Sequence, residues 1–440
     1  MKLFNQLFNN KIIFLDKLSI LLFSLLPISM IIGNASININ ILLIDFLFLI
    51  YCIKFRLWSW LKRDVFLYLV VFYIFLNLNS LYSYSVLFEN KEIFFWADHG
   101  VVRSFLFIKF ILLVFAFSVL LKDDKILGLV HKSWFFIIII VIFDVFFERF
   151  IGRNILGNIS IDSTRLVSFF KDETVVGGFI YCFGFASTAY FINNNDKNKS
   201  ILPLMLIFLL LPLSIFVTGE KSNFIKSIFL FFMMIYFFKR NKYNLDYRIL
   251  VASLIFLIIC LFTFNKNLRI KYTETYERIM AVENLKKEIG VMRPKTIFDK
   301  MEQIKYFSHY AVAIKIFKNH PISGVGNKKF RVECSKEKYF DKDDMWNNFR
   351  CSTHPHQVHL EILSEHGILG YFLILCFITW FSIKNFKIAL KNKDVYHLSN
   401  TSYVLIFFIP LLPTGGIFST FSGSLFWVIF SLVNLNYDKK

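Results

Sequence analysis

The segment Cys351-Ser352-Thr353-His354-Pro355-His356-Gln357-Val358-His359-Leu360-Glu361 places three imidazoles within six residues. Imidazole exchanges protons near neutral pH, so a histidine here is suited to activating a hydroxyl. Three histidines this close also admit a transition-metal site or a merely interfacial cluster, although no carboxylate or thiolate ligand pattern accompanies them. Pro355 suits a first helical turn. On the helix that follows, His356, His359, Leu363, Gly367 and Gly370 stand at offsets 0, 3, 7, 11 and 14 and are expected to share one face. Gly367 and Gly370 would then let a second helix pack closely beneath the histidines.

A second set of residues is cationic. Arg103, Lys109, Arg165, Lys221 and Lys226 fall near the ends of apolar runs, where fixed positive charge could stabilise a leaving group that becomes anionic. For Lys109 and Lys226 the alternative reading is that they snorkel to the interface. Asp144 and Glu148, one helical turn apart, are the expected partners of these cations. Arg331 and Arg350 are further candidates that also read as solvated charges.

The elements that must position these groups are membrane helices. The chain has 440 residues, of which 56% are hydrophobic, including 57 Phe and only 8 Pro, a composition foreign to a soluble domain. A bilayer span needs roughly 20 mostly apolar residues. The hydrophobic pattern predicts about twelve: Leu18–Ile32, Ile39–Ile53, Val65–Leu81, Phe105–Leu121, Trp134–Phe147, Thr174–Ile192, Ile201–Val217, Asn223–Phe238, Ile249–Phe264, Val358–Ile383, Ser402–Leu412 and Ile417–Leu435. The first run has no small-residue cleavage site and is read as a retained helix.

A net charge of +19 would suggest nucleic acid in a soluble chain, but its placement here follows membrane topology. With a cytoplasmic N-terminus the inside segments hold 22 Lys and Arg against 7 in the short outside loops. Both termini are therefore expected in the cytoplasm, with the long segment outside. The organisation expected is helices 1–9 over 1–265, a periplasmic insertion over 266–357, and helices 10–12 over 358–440. Within the insertion, Tyr276–Ile289 and Ile304–Phe317 show helical spacing, and Pro321 is a stop signal. Cys334 and Cys351 alone share the exported segment and are expected to form a disulfide, while the other four cysteines lie in apolar runs.

At this point the chain resembles the O-antigen ligase and polymerase family. His356-Gln357, nine residues, then Gly367-Ile368-Leu369-Gly370 is similar to the family's His-[Asn/Ser/Gln]-x9-Gly-x-x-Gly signature. His320-Pro321-Ile322-Ser323-Gly324-Val325-Gly326, running on to Phe330-Arg331, resembles its Pro-x-x-Gly-x-Gly-x-x-x-Phe stretch. Ser163-Thr164-Arg165 with Gly177-Gly178 resembles its Arg-containing loop, and Thr218-Gly219-Glu220-Lys221-Ser222 occupies its usual Ser-Arg turn.

The resemblance implies an all-α polytopic membrane glycosyltransferase of the GT-C-like type, independent of metal or other cofactor. It would transfer glycan from undecaprenyl diphosphate to lipid A–core, or to a second glycan if it is a polymerase. His356, Arg165 and Lys221 are the implied catalytic groups. Arg331, Gly324, Gly326, His359, Lys109 and Lys226 are the implied substrate contacts. Lys221 keeps the charge of the family's arginine but loses its bidentate fork. Gly324-Val325-Gly326 lacks the lysine of a nucleotide loop. A transporter or lipid flippase is the alternative of another class, though no inverted repeat is visible.

Overall fold

The computed structural model describes residues 14–87, 98–171, 173–195, 200–240, 247–274, 277, 305–340 and 347–435. Every regular element among them is helical. In chain order these are α1 (Phe14–Ser24), α2 (Leu26–Ile32), α3 (Asn34–Phe55), α4 (Asp64–Tyr82), α5 (His99–Phe105), α6 (Ile108–Leu120) and α7 (Asp124–Ile151). Then come α8 (Val176–Asn193), α9 (Leu202–Thr218), α10 (Lys221–Arg240), α11 (Tyr247–Phe264), α12 (Lys305–Asn319), α13 (Val358–Asn392), α14 (Val395–Phe407) and α15 (Thr420–Leu435).

Eight of the described helical stretches, with α5 and α6 together counted as one, are long and apolar enough to cross a bilayer, and nine if the α1–α2 pair, bent by 41° ahead of Pro27, is one span. α9 and α15 are apolar but shorter, and α14 carries buried His397, Ser399, Asn400 and Thr401. The expectation of twelve spans counts these three as well. Apolar helices leave lipid-facing rings such as Phe46, Phe136 and Phe143 exposed, which is the inverse of a soluble surface. The inward faces of α1–α4, α6–α11 and α13–α15 form one continuous core.

Capping explains where sequence periodicity misjudged the ends. The expected Trp134–Phe147 lengthens to Asp124–Ile151, because the Asp123 carboxylate accepts from Lys125 N–H at one end and Gly152 closes the other in a left-handed turn. The expected Ser402–Leu412 begins instead at Val395, capped by the Asp394 carboxylate accepting from His397 N–H, and stops at Phe407 before Pro410 and Pro413.

A second, smaller core lies between α11 and α13. It joins Val312 and Ile316 of α12 to Val325, Phe330, Cys334 and Tyr339. The Cys334–Cys351 pair is disulfide-bonded, with a Cα–Cα distance of 5.4 Å. Helix α12 ends at Asn319, before Pro321. The helix expected at Tyr276–Ile289 lies, but for residue 277, outside the described residues.

Candidate active site

Helix α13 is broken at Gly367, whose φ of 61° and ψ of −165° belong to a region open only to glycine. The break frees backbone groups on both sides, and the loop after α12 satisfies them. Val325 N–H donates to Ser364 O at 3.0 Å and Gly326 N–H to Glu365 O at 2.8 Å, while Ile368 N–H reaches Pro321 O at 2.8 Å. The approach is so close that a Cβ on Gly324 would stand 2.4 Å from the Glu365 carbonyl carbon. One on Gly326 would meet Ser83 at 2.5 Å. Both glycines therefore stand where a side chain would collide, Gly324 against the Glu365–His366 backbone and Gly326 against the Ser83 side chain.

The same loop is anchored by charge. Lys328 N–H donates to Glu365 Oε2 at 2.9 Å, and its ammonium pairs with Glu361 Oε1 at 2.9 Å, all three residues being buried. Lys329 pairs with Asp98, which also caps α5 by accepting from Gly100 and Val101 N–H. These pairs are desolvated, so each ion depends on its partner.

His356 does not lie on α13. Gln357 is the N-cap, its side chain accepting from Leu360 N–H at 2.8 Å, and His356 precedes it in a left-handed conformation with φ 58°. Pro355 likewise stays outside the helix, and the break at Gly367 removes the continuous face expected from His356 to Gly370. Gly370 instead admits Phe75 of α4, whose ring carbon would stand 2.9 Å from an added Cβ. The His356 imidazole sits among aromatic rings, with His354 at 4.3 Å, Tyr306 at 5.3 Å and His309 at 5.4 Å between centroids. Its Nε2 lies 3.0 Å from Ser352 Oγ. Enclosure and the nearby Lys328 charge press the His354 imidazole down to about 3, so His354 is neutral at physiological pH.

The connection between α14 and α15 ties this histidine to the rest of the site. Thr414 N–H donates to His356 O at 2.8 Å, and Ile417 N–H to Glu361 Oε2 at 3.1 Å. The Pro413 carbonyl accepts from Ser222 Oγ and, at 2.8 Å, from Lys226 Nζ. Gly416 gives room for the Lys328–Glu361 pair, since a Cβ there would stand 2.9 Å from Glu361 Oε1. One short loop thus joins His356 to the start of α10, where Lys221 lies.

Arg165 is beside that turn. Leu166 N–H donates to Thr218 O at 3.0 Å, and Gly219, with φ 78°, leaves 2.3 Å between a notional Cβ and Thr164 O. Arg165 donates from Nη2 to Thr174 O at 3.2 Å, while its Nε is buried without a partner among the described residues. Glu220 adds a carboxylate that feels the Arg165 charge. It accepts from Gly177 N–H and Asn223 Nδ2, each at 2.6 Å.

Arg149 clamps the loop from α7, donating to Val217 O at 2.7 Å and Ser163 O at 2.9 Å. Asp144 and Glu148 do not serve the cations as expected. They hold the 155–168 loop by accepting from Ile155 N–H and Ser168 N–H, each at 2.7 Å, and the Ser160 hydroxyl donates to Glu148.

The remaining candidates separate. His359 has both ring nitrogens engaged, with Tyr371 OH at 3.1 Å and Phe408 O at 2.8 Å, which joins α13 to the end of α14. Lys226 is buried under Pro413. Arg331 is exposed and close enough for its charge to act on His354, whereas Arg350 donates to Cys334 O at 3.0 Å. Lys109 lies on α6, bonded to Asn38, away from the Arg165–Lys221 turn. Sequence reasoning missed the Pro413–Ser419 loop, Arg149 and the Lys328–Glu361 pair. Glu361 and Glu365, four apart in an apolar helix, were the available signal that a buried cation must meet them.

The fold and site define a multi-pass helical membrane protein with a histidine held opposite buried and half-buried cations. Residues 205–375 match the family model described as O-antigen ligase. The match runs from α9 to the second half of α13, leaving Arg165 and the Pro413–Ser419 loop beyond its ends. No curated protein matches the chain.

Proposed function

We propose that this protein transfers a glycan from undecaprenyl diphosphate to lipid A–core at the periplasmic face of the inner membrane. The observation that carries the reading is the Pro413–Thr414 connection, which fastens the His356 carbonyl and the start of α10 to one segment. An acceptor hydroxyl attacks the anomeric carbon, and its proton passes to the His356 imidazole. The bond from that carbon to the diphosphate oxygen breaks, and the negative charge that develops there is met by Arg165 and Lys221. Arg331 borders the acceptor side.

The family also accommodates polymerisation, in which the acceptor is a second carrier-linked glycan. Reconstitution with lipid-diphosphate glycan and each acceptor in turn tests the reading: a glycan on lipid A–core supports ligation, a lengthened carrier-linked glycan replaces it with polymerisation, and no transfer to either refutes it. The orientation is tested by reporter fusions, with Asn284 and Lys338 expected outside and Asn195 and Asn392 in the cytoplasm.

A further inference from the structure

The Arg165–Lys221 turn leaves two of the cations unexplained. Arg103 and Lys109 line a separate, shallow, open-sided cavity together with Phe107, Phe418, Ser419 and Thr420. Lys109 is buried, yet its ammonium is bonded to the neutral amide oxygen of Asn38 and lies over the Phe110 ring at 4.8 Å. Arg103 donates from Nη1 to Thr420 Oγ1 at 2.8 Å, which uses one of its five N–H donors. Thr420 opens α15, a 16-residue helix whose first amides point out of its end. The acid nearest in effect is Asp45 on α3, which feels the Lys109 charge and hydrogen-bonds to no described group. Two cations against one acid leave the cavity positive.

Its opening has a direction. Phe105, Leu106 and Ile108, at the α5–α6 junction beside the cavity, are exposed apolar residues, the surface a lipid-facing flank presents. A soluble anion would have to cross that flank, whereas a lipid brings its phosphate along it. Ser419 and Thr420 also continue the loop whose Thr414 holds His356, so a lipid fixed here stands next to the site described above.

We propose that Arg103, Lys109, Ser419 and Thr420 form a second phosphate subsite, which takes the anchor phosphate of the acceptor glycolipid from the bilayer side. This rests on the ligase reading for the identity of the lipid. The guanidinium and ammonium bind the phosphate oxygens by charge-assisted hydrogen bonds, and the hydroxyls and helix end supply neutral donors. Donor diphosphate and acceptor phosphate are then held by separate cations on two sides of the Pro413–Ser419 loop.

The test measures binding of fluorescent lipid A–core, without any donor, to the full chain in phosphatidylcholine nanodiscs. Binding is read apart from transfer, so loss of the ligase reading and loss of this subsite give different results. Arg103→Gln should weaken binding about tenfold or more, as should Lys109→Gln. Arg103→Lys should retain most of the affinity, and Arg165→Gln should leave it unchanged. Dephosphorylated lipid should bind wild type as weakly as phosphorylated lipid binds Arg103→Gln. If Lys109→Gln does not fold, Arg103→Gln and Thr420→Val carry the test. Equal affinity of folded Arg103→Gln and wild type overturns the proposal, as does equal affinity for dephosphorylated lipid. Competition by inorganic phosphate at the lipid's own concentration would make this a free-anion site and also overturns it.

Discussion

Gly367 and Ile322 meet backbone to backbone at the break in α13. The Ile322 carbonyl accepts from Leu369 N–H at 3.3 Å and would lie 2.2 Å from a Cβ on Gly367. The glycine that follows the signature histidine and the Pro-x-x-Gly-x-Gly stretch are therefore two halves of one junction. The loop supplies donors and acceptors to the groups that the break exposes. A helix interrupted inside a membrane protein is tolerated only on such terms.

Gly367→Ala should destabilise the protein by about 3 kcal/mol or more, adding the strain of a glycine-only conformation to a backbone collision. Gly157→Ala is the comparison, because Gly157 has φ 88° but nothing within 4 Å of the added atom. It should cost only the conformational part, about 1–2 kcal/mol. Thermal unfolding in detergent reads both, and equal losses would mean that the junction contributes nothing.

The disulfide is the second test. Cys334 is buried in the small core beside Phe330 and Tyr339, and it closes a loop of 17 residues onto Cys351. Linking them stabilises this part of the chain by about 3 kcal/mol in the chain-entropy model. Non-reduced peptide mapping of protein from native membranes should recover the linked pair. Two separately alkylated thiols would refute it.

The same core carries a pH dependence. Burial alone would raise the Glu333 pKa, but hydrogen bonds from Lys336, Lys338 and Tyr339 outweigh it and hold the carboxyl below its ordinary value. The folded state thus binds a proton less readily than the unfolded chain. Its contribution is full above the unfolded glutamate range near pH 4.5 and is lost as the pH falls through the lower folded value. Glu333→Gln should lower thermal stability at pH 7, and the gap to wild type should narrow as the pH drops below about 4. A gap independent of pH would refute the assignment.

Much of this fold was legible in the sequence because lipid imposes one requirement along the whole span. Apolar runs located the helices, and the order of Arg165, Lys221, Gly324 and His356 named the pieces of the candidate site. What was not legible depends on tertiary pairing. Helical spacing could not reveal that α13 breaks at Gly367, since the break is stabilised by carbonyls more than forty residues away in the chain. Nor could it show that His359 is consumed by Tyr371 and Phe408, or that Asp144 and Glu148 hold a loop. The Pro413–Ser419 connection gave no sequence signal because its importance lies in three backbone groups, the Pro413 carbonyl and the Thr414 and Ile417 N–H, which carry no residue-type signature.

The catalytic assignment is tested through His356 and the cations across the Pro413 loop. His356→Ala should lower turnover by about 10²–10⁴-fold while leaving carrier binding nearly intact, because a proton acceptor acts in the transition state. His354, pressed down to about 3, is already neutral across the working range. His354→Gln should therefore leave the shape of the pH–rate profile unchanged. Arg165→Ala should weaken donor binding and turnover together, the result expected of a charge that meets the diphosphate in both states. Lys221→Arg should be tolerated and Lys221→Ala should not, because the charge is required at the turn while the fork of arginine is an addition. Chelator should leave the rate unchanged, because the His359 ring nitrogens are spent on Tyr371 and Phe408 and the three histidines cannot share an ion. Thermal stability in detergent must be matched for each variant. A well-folded His356→Ala protein with unchanged turnover would remove the proton-transfer role, and chelator-sensitive transfer would return the histidines to metal binding.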